Sequence, residues 1–185
     1  MALTKTPVCD FGKKAEDFKL KSIENKIISL NDVKGEKATL IMFICNHCPY
    51  VKAIVRDLAN DCNELKKDGI NSVAIMSNDT KNYPEDSFDN MIKFAKTNNF
   101  GEINYLIDET QEIAKKYGAV CTPDFFGSNK EVKLQYRGRF RELKDLKPVL
   151  AGDSDLKIAM KMISQTQSGP KEQIPSMGCN IKWFN

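Results

Sequence analysis

The stretch TLIMFICNHCPYVKAIV, Thr39–Val55, decides how the chain reads: an apolar run passes directly into the cysteine pair Cys45 and Cys48, and amphipathic spacing begins just after it. Thr39–Ile44 is continuously apolar, as a central strand covered on both faces would be. From Pro49 onward Val51, Ile54, Val55, Leu58, Cys62 and Leu65 recur at helical spacing, and Gly69 supplies a C-terminal stop. Two thiols separated by two residues can close a small disulfide ring. A helix N-terminus favours the anionic form of a thiol beside it, so attack becomes feasible near neutral pH. The strand, thiol pair and helix therefore predict a redox site.

Working outward, Phe18–Leu30 alternates loosely about Asn25 and predicts a short hairpin. Ile70–Met76 reads as a second strand, followed by the polar loop SNDTKNYPEDS with Pro84 and a helix around Phe88–Thr97. Tyr105–Ile107 is a short strand, and Thr110–Tyr117 a short helix ended by Gly118. Phe125 and Phe126 begin another strand after Pro123, with Val132–Tyr136 paired beside it. Asp153, Ser154 or Asp155 can cap a final helix in which Leu156, Ala159, Met160 and Ile163 share a face. Alternating strands and helices predict an α/β fold: a central mixed β-sheet flanked by helices, with an N-terminal β extension and a C-terminal tail. Its ligand site is expected outside the carboxyl ends of the strands, where Cys45 falls. Residues 1–185 read as one domain, with 168–185 as a docked tail.

Composition agrees. The 185 residues are 41% hydrophobic, enough for one substantial core without crosslinks. The six cysteines, Cys9, Cys45, Cys48, Cys62, Cys121 and Cys179, do not form the dense framework of a small secreted protein. No signal-peptide run or membrane-spanning stretch is visible, so a cytoplasmic protein is expected. The net charge of +3 comes from scattered lysines and acids, which argues against nucleic-acid or membrane surfaces as partners.

If the helix starts near Cys45, Cys48 lies one turn deeper on the same face. Cys45 is then the exposed nucleophile and Cys48 the resolving thiol, and Pro49 is tolerated in the first turn. His47, the only histidine, can stabilise the Cys45 thiolate and so make the pair more oxidising than thioredoxin. The competing reading is a metal site built from Cys45, His47, Cys48 and a further thiol, Cys121 or Cys179. Cys121 can equally pack beside its strand. Cys179 has two readings, a third thiol able to reach Cys45 or an anchor for Trp183. Cys9 and Cys62 need only burial or incidental exposure. Arg137 and Arg139 could steady a thiolate or an anionic substrate, and Asn78 and Asp79 follow a strand toward the same edge as Cys45.

The segments GKKAEDFKL at Gly12–Leu20, FICNHCPYVK at Phe43–Lys52, GAVCTPDFF at Gly118–Phe126 and PSMGCNIKW at Pro175–Trp183 together resemble the peroxiredoxin-like redoxins. These are the branch of the thioredoxin superfamily related to alkyl hydroperoxide reductase and thiol-specific antioxidant proteins. The resemblance implies a thioredoxin-like fold with an active-site thiol at Cys45. It also implies a cis-proline loop in which Thr122 and Pro123 face the thiol pair and Thr122 presents backbone to substrate. Two departures stand out. The PxxxTxxC signature of peroxiredoxins is replaced by Ala38 and Met42 before Cys45, and by Ile41 and Cys45 before Cys48. Thioredoxin's strand carboxylate and the tryptophan before its first cysteine have no counterpart, since Ile44 precedes Cys45.

The expected function is thiol-disulfide exchange by a CxxC dithiol cycle with no bound cofactor. Thiol peroxidase chemistry through a sulfenic acid, and metal binding or delivery, are the alternatives. The expected partners are protein or small-molecule disulfides, or peroxides. A thiol reductant such as a thioredoxin or glutathione system completes the cycle.

Overall fold

The computed structural model describes residues 3–184. The chain begins with β1 (Leu3–Lys5), then the hairpin β2 (Lys19–Ser22) and β3 (Ile27–Ser29), and one helical turn, α1 (Leu30–Val33). Next come β4 (Ala38–Phe43), α2 (Pro49–Lys66) and β5 (Ile70–Met76). A 3-10 turn at Pro84–Asp86 leads into α3 (Phe88–Thr97), β6 (Asn104–Ile107) and α4 (Glu112–Tyr117). The remainder is β7 (Cys121–Thr122), β8 (Asp124–Asn129), β9 (Leu134–Tyr136), the small hairpin β10 (Leu143–Lys144) and β11 (Lys147–Pro148), α5 (Asp155–Thr166) and β12 (Met177–Asn180).

Seven strands form one mixed sheet in the order β3-β2-β6-β5-β4-β8-β9. β4 is parallel to β5 and antiparallel to β8, which places it inside the sheet as its unbroken apolar run requires. Its side chains divide between two cores. Leu40 and Met42 join Val51, Ile54, Val55 and Leu58 of α2 on one face. Ile41 and Phe43 join Ile113, Ala114 and Tyr117 of α4 on the other, where the Phe43 ring lies 5.6 Å from both Tyr117 and Phe126. Burying one such aliphatic side chain stabilises the fold by about 1.5–3 kcal/mol.

The expected hairpin forms with Asn25 at φ 61, the left-handed conformation that asparagine tolerates. The capping position on α5 resolves to Ser154, whose hydroxyl accepts the Lys157 N–H at 3.0 Å. The tail lies against the domain as an ordered strand. β12 runs antiparallel between β1 and β7 in a second, three-stranded sheet, with Cys179 opposite both Leu3 and Thr122. Strands of two to four residues such as β1, β7 and β12 carry too few residues to show a period, so only their pairing reveals them.

Leu40 has no exposed surface and sits mid-strand. Leu40→Ala is expected to lower stability by about 2–5 kcal/mol, read as a reduced urea midpoint at unchanged slope. An unchanged midpoint would show that β4 is not the packing centre of the sheet.

Candidate active site

Strand β4 ends at Phe43, and Ile44 still pairs with β5 through its N–H to the Ile75 carbonyl at 3.1 Å. The helix does not begin near Cys45. Pro49 occupies its first position, where a missing N–H has no intrahelical partner to lose, so the N-cap is Cys48. The Cys48 carbonyl accepts the first helical bond, from Lys52 N–H at 2.9 Å. Cys48 therefore sits at the positive end of α2, and Cys45 lies three residues ahead of it. Spacing alone puts Cys45 at the helix start, whereas the structure puts Cys48 there. Nor is Cys45 an exposed nucleophile, because Cys45 is 1% exposed and Cys48 0%.

Three groups surround the Cys48 sulfur. It lies 3.1 Å from the Thr122 carbonyl oxygen and 3.1 Å from the Cys179 sulfur, and the Cys45 thiol is close enough to act on its ionisation. As a thiol, Cys48 donates to Thr122; as a thiolate it accepts from its neighbours. The Cys45 thiol is the largest influence, and it lowers the Cys48 pKa to about 5 against the opposing effect of burial. Cys179 adds to the lowering through its thiol and its backbone N–H. The Val51 N–H contributes less and closes no cap bond. The same interaction, with burial and the Asp86 charge, pushes Cys45 well above the usual thiol range. Thr122 Oγ1, 3.3 Å from the Cys45 sulfur, works the other way. The peptide between Thr122 and Pro123 is cis.

A second feature was not legible in the sequence. Asp86, at the end of the 3-10 turn and fully buried, accepts the Asn46 N–H at 2.7 Å and the Asn78 side-chain amide at 2.8 Å. Its other contacts are both to His47, the ring Nδ1 at 2.6 Å and the backbone N–H, which it accepts at 3.3 Å. Tyr105 Oη donates to Asn46 Oδ1 at 2.9 Å, and the His47 ring stacks on Tyr83. The loop between Cys45 and Cys48 is thus held by one buried carboxylate. The hydrogen bond to Asp86 raises the His47 pKa, although burial opposes it. His47 therefore compensates Asp86 first, and its charge reaches the thiols from that fixed position. Asp86 sits in a run of loop-type residues, SNDTKNYPEDS, and nothing there distinguishes it from a solvated acid.

Set beside known proteins, residues 11–140 match the model of the AhpC/TSA family. The chain belongs to the AhpC/TSA family. An uncharacterized conserved protein from Geobacillus kaustophilus is 38% identical, with a TM-score of 0.93 over 100% of this chain and 97% of that one. A hypothetical protein from Sinorhizobium meliloti 1021 is 35% identical, with a TM-score of 0.89 over 98% of each chain. A thiol:disulfide interchange protein of the thioredoxin family from Chlorobium tepidum TLS, 17% identical, shares the fold at a TM-score of 0.62. That match covers 83% of this chain and 97% of that one. A comparison with curated proteins finds no match. The thioredoxin-like fold and the peroxiredoxin-like redoxin branch inferred from sequence both stand. The redoxin family places the chain among thiol-based redox proteins that act on thiols or disulfides.

Within this redoxin, the residues singled out from sequence divide. Cys45, Cys48, His47, Thr122 and Pro123 come together, and Cys179 joins them. Thr122 does not present free backbone, because β12 already pairs with it. Cys121 is buried with its thiol directed at the Pro123 carbonyl, 3.6 Å away, and burial raises its pKa. It takes no part in the cluster. Arg139 does not steady a thiolate: its Nε bonds Asp155 in the first turn of α5. It does line a cavity of about 260 Å³ beside Pro123, together with Tyr50, Ser176 and Met177. Arg137 holds the buried Asp124 carboxylate through Nη2 at 2.9 Å and stacks on Phe126. Asn78 joins the Asp86 network, whereas Asp79 caps its own loop by accepting the Lys81 N–H.

The metal reading finds a different set from the one expected. Donor atoms of Cys45, His47 and Asp86 lie within 4.8 Å of one another, and Cys121 is turned away. The Asp86 oxygens are already engaged by Asn46, Asn78 and His47, so an ion there would have to break that network.

Because His47 is the only histidine, its titration is unambiguous by nuclear magnetic resonance. Asp86→Asn keeps an acceptor for Asn46 but removes the charge, so the His47 pKa is expected to fall relative to the parent protein. The pair's contribution to stability is full below the ordinary histidine pKa of 6.5 and fades as pH rises through the higher folded-state value. An unmoved His47 pKa in Asp86→Asn would contradict the assignment.

Proposed function

We propose that this AhpC/TSA-family protein is a thiol-disulfide oxidoreductase in which Cys48 attacks and Cys45 resolves. The observation that carries the reading is the position of Cys48 at the N-cap of α2, with the Thr122 carbonyl oxygen and the Cys179 sulfur each 3.1 Å from its own sulfur. The Cys48 thiolate attacks one sulfur of a substrate disulfide, forming a mixed disulfide and expelling the other sulfur as a thiolate. Cys45 then loses its proton and attacks the Cys48 sulfur. The second substrate thiolate leaves, and Cys45–Cys48 disulfide remains. Two electrons pass from the protein dithiol to the substrate, and a thiol reductant restores the pair.

The environment supports this division of labour. Cys48 is held ionised, as a nucleophile must be, while Cys45 is held protonated until needed. Once Cys48 enters the mixed disulfide its negative charge disappears, and with it the strongest influence raising the Cys45 pKa. Resolution is thereby switched on by attack itself. Disulfide exchange is favoured over peroxide reduction because residue 45, three before the attacking thiol, is a cysteine and not a hydroxyl-bearing threonine. The satisfied hydrogen bonds of Asp86 likewise favour it over metal delivery. The cavity beside Pro123 has room for the side chain of a disulfide-bearing substrate.

Cys48→Ser should abolish reduction of a disulfide such as oxidised glutathione by the dithiol protein, while Cys45→Ser should still react with it at Cys48 and form no Cys45–Cys48 disulfide. The single-turnover rate should be nearly flat above about pH 6 and fall about tenfold per pH unit below the Cys48 pKa of about 5. Full turnover in Cys48→Ser would reject the mechanism. Stopped-flow oxidation of Cys48 by hydrogen peroxide far faster than that of free cysteine would replace it with thiol peroxidase chemistry.

A further inference from the structure

The C-terminal segment brings a third thiol to Cys48, and several independent contacts fix it there. β12 pairs with β7 so that Cys179 stands opposite Thr122, the residue whose carbonyl and hydroxyl touch the two site thiols. Ser176 Oγ donates to the Pro123 carbonyl at 2.8 Å, and its N–H donates to Thr6 Oγ1 at 3.0 Å. Beyond the strand, Lys182 N–H donates to Asn78 Oδ1 at 2.9 Å, tying the segment to the loop network around Asp86.

Residue 178 is glycine for a steric reason. A Cβ there would lie 2.0 Å from the Thr122 carbonyl oxygen, so only glycine lets the strand approach closely enough to deliver its neighbour's sulfur. The outcome is a Cys48–Cys179 sulfur separation of 3.1 Å, about 1 Å more than a covalent disulfide requires.

We propose that Cys179 is a third redox thiol, which attacks mixed disulfides formed at Cys48 and passes the oxidised state on to Cys45. The inference rests on Cys48 being the attacking thiol. After Cys48 has formed a mixed disulfide with a substrate sulfur, Cys179 loses its proton and attacks the Cys48 sulfur. A Cys48–Cys179 disulfide forms and the substrate leaves as a thiolate, which takes up a proton. Cys45 then attacks Cys48, a Cys45–Cys48 disulfide replaces the first, and Cys179 returns to a thiol. The oxidant throughout is the substrate disulfide.

Burial pushes the Cys179 thiol up to about 12, and the negative charge of Cys48 adds to this. That second influence vanishes when Cys48 becomes covalently engaged, while the ammonium of Lys182 continues to favour the Cys179 thiolate. Because the strand also covers Cys48, an incoming disulfide must lift it. Its return then places the third thiol beside the newly formed mixed disulfide.

The test is disulfide mapping by peptide mass spectrometry after acid quench and alkylation. Reduced Cys45→Ser protein is exposed to one equivalent of oxidised glutathione. The expected product is a Cys48–Cys179 linked peptide, about tenfold or more in excess of glutathionylated Cys48, because the third thiol attacks intramolecularly. In the Cys45→Ser, Cys179→Ser double variant, glutathionylated Cys48 should accumulate instead. Persistent glutathionylation of Cys48 in Cys45→Ser with Cys179 alkylated would overturn this inference and leave the proposed function intact. No modification of Cys48 in any variant would overturn both. The unmutated protein supplies the same reading should Cys45→Ser not fold: the linked peptide is expected at early quench times, and its absence at every time overturns the proposal.

Discussion

The seat of Cys48 at the start of α2, among Cys45, Cys179 and the Thr122 carbonyl, is the constraint on which the site depends. Alone, a buried thiol is driven toward its neutral form, as the pKa of Cys62, raised to about 12 by burial in the core of the same protein, shows. Cys48 escapes that outcome because donors converge on it from Cys45, from β12 and from the start of α2. The arrangement requires the helix to begin at Pro49, the strand before it to stop at Phe43, and five residues between them to hold an irregular path. Asp86 secures that path from outside the motif, and His47 offsets its charge.

Sealing such a site has a cost in access and a gain in control. With Cys45 and Cys48 both buried, reactivity is coupled to whatever uncovers them, and the chain's own C-terminal strand holds the Cys179 sulfur 3.1 Å from that of Cys48. That strand lies along Thr122, the edge where an extended partner would add by backbone pairing.

Much of this was readable in the sequence. The unbroken apolar run of β4, the helical spacing of α2 and the alternation of elements gave the sheet and its layers because those segments are long enough to show a period. The resemblance of four segments to redoxins supplied the cis bond at Pro123, which no local rule could. The start of the helix was misplaced for a specific reason: proline was read as tolerated anywhere in the first turn, whereas its fit at the first position fixes the N-cap one residue earlier, at Cys48. Asp86 lay beyond sequence reasoning, and Cys179 carried two readings there, because each reaches the site across the fold. The first is 40 residues from Asn46 and the second 131 from Cys48. Arg139 misled because a guanidinium near a strand end says nothing of which carboxylate will claim it, and here Asp155 does.

The most direct measurement of the central claim is the titration of the cysteine Cβ resonances in reduced protein labelled with carbon-13 at that position. The account predicts that the Cys48 resonance shifts near pH 5, whereas that of Cys45 stays in its thiol position until well above pH 9. Ionisation of Cys45 before Cys48, or a Cys48 that remains protonated at neutral pH, would contradict it.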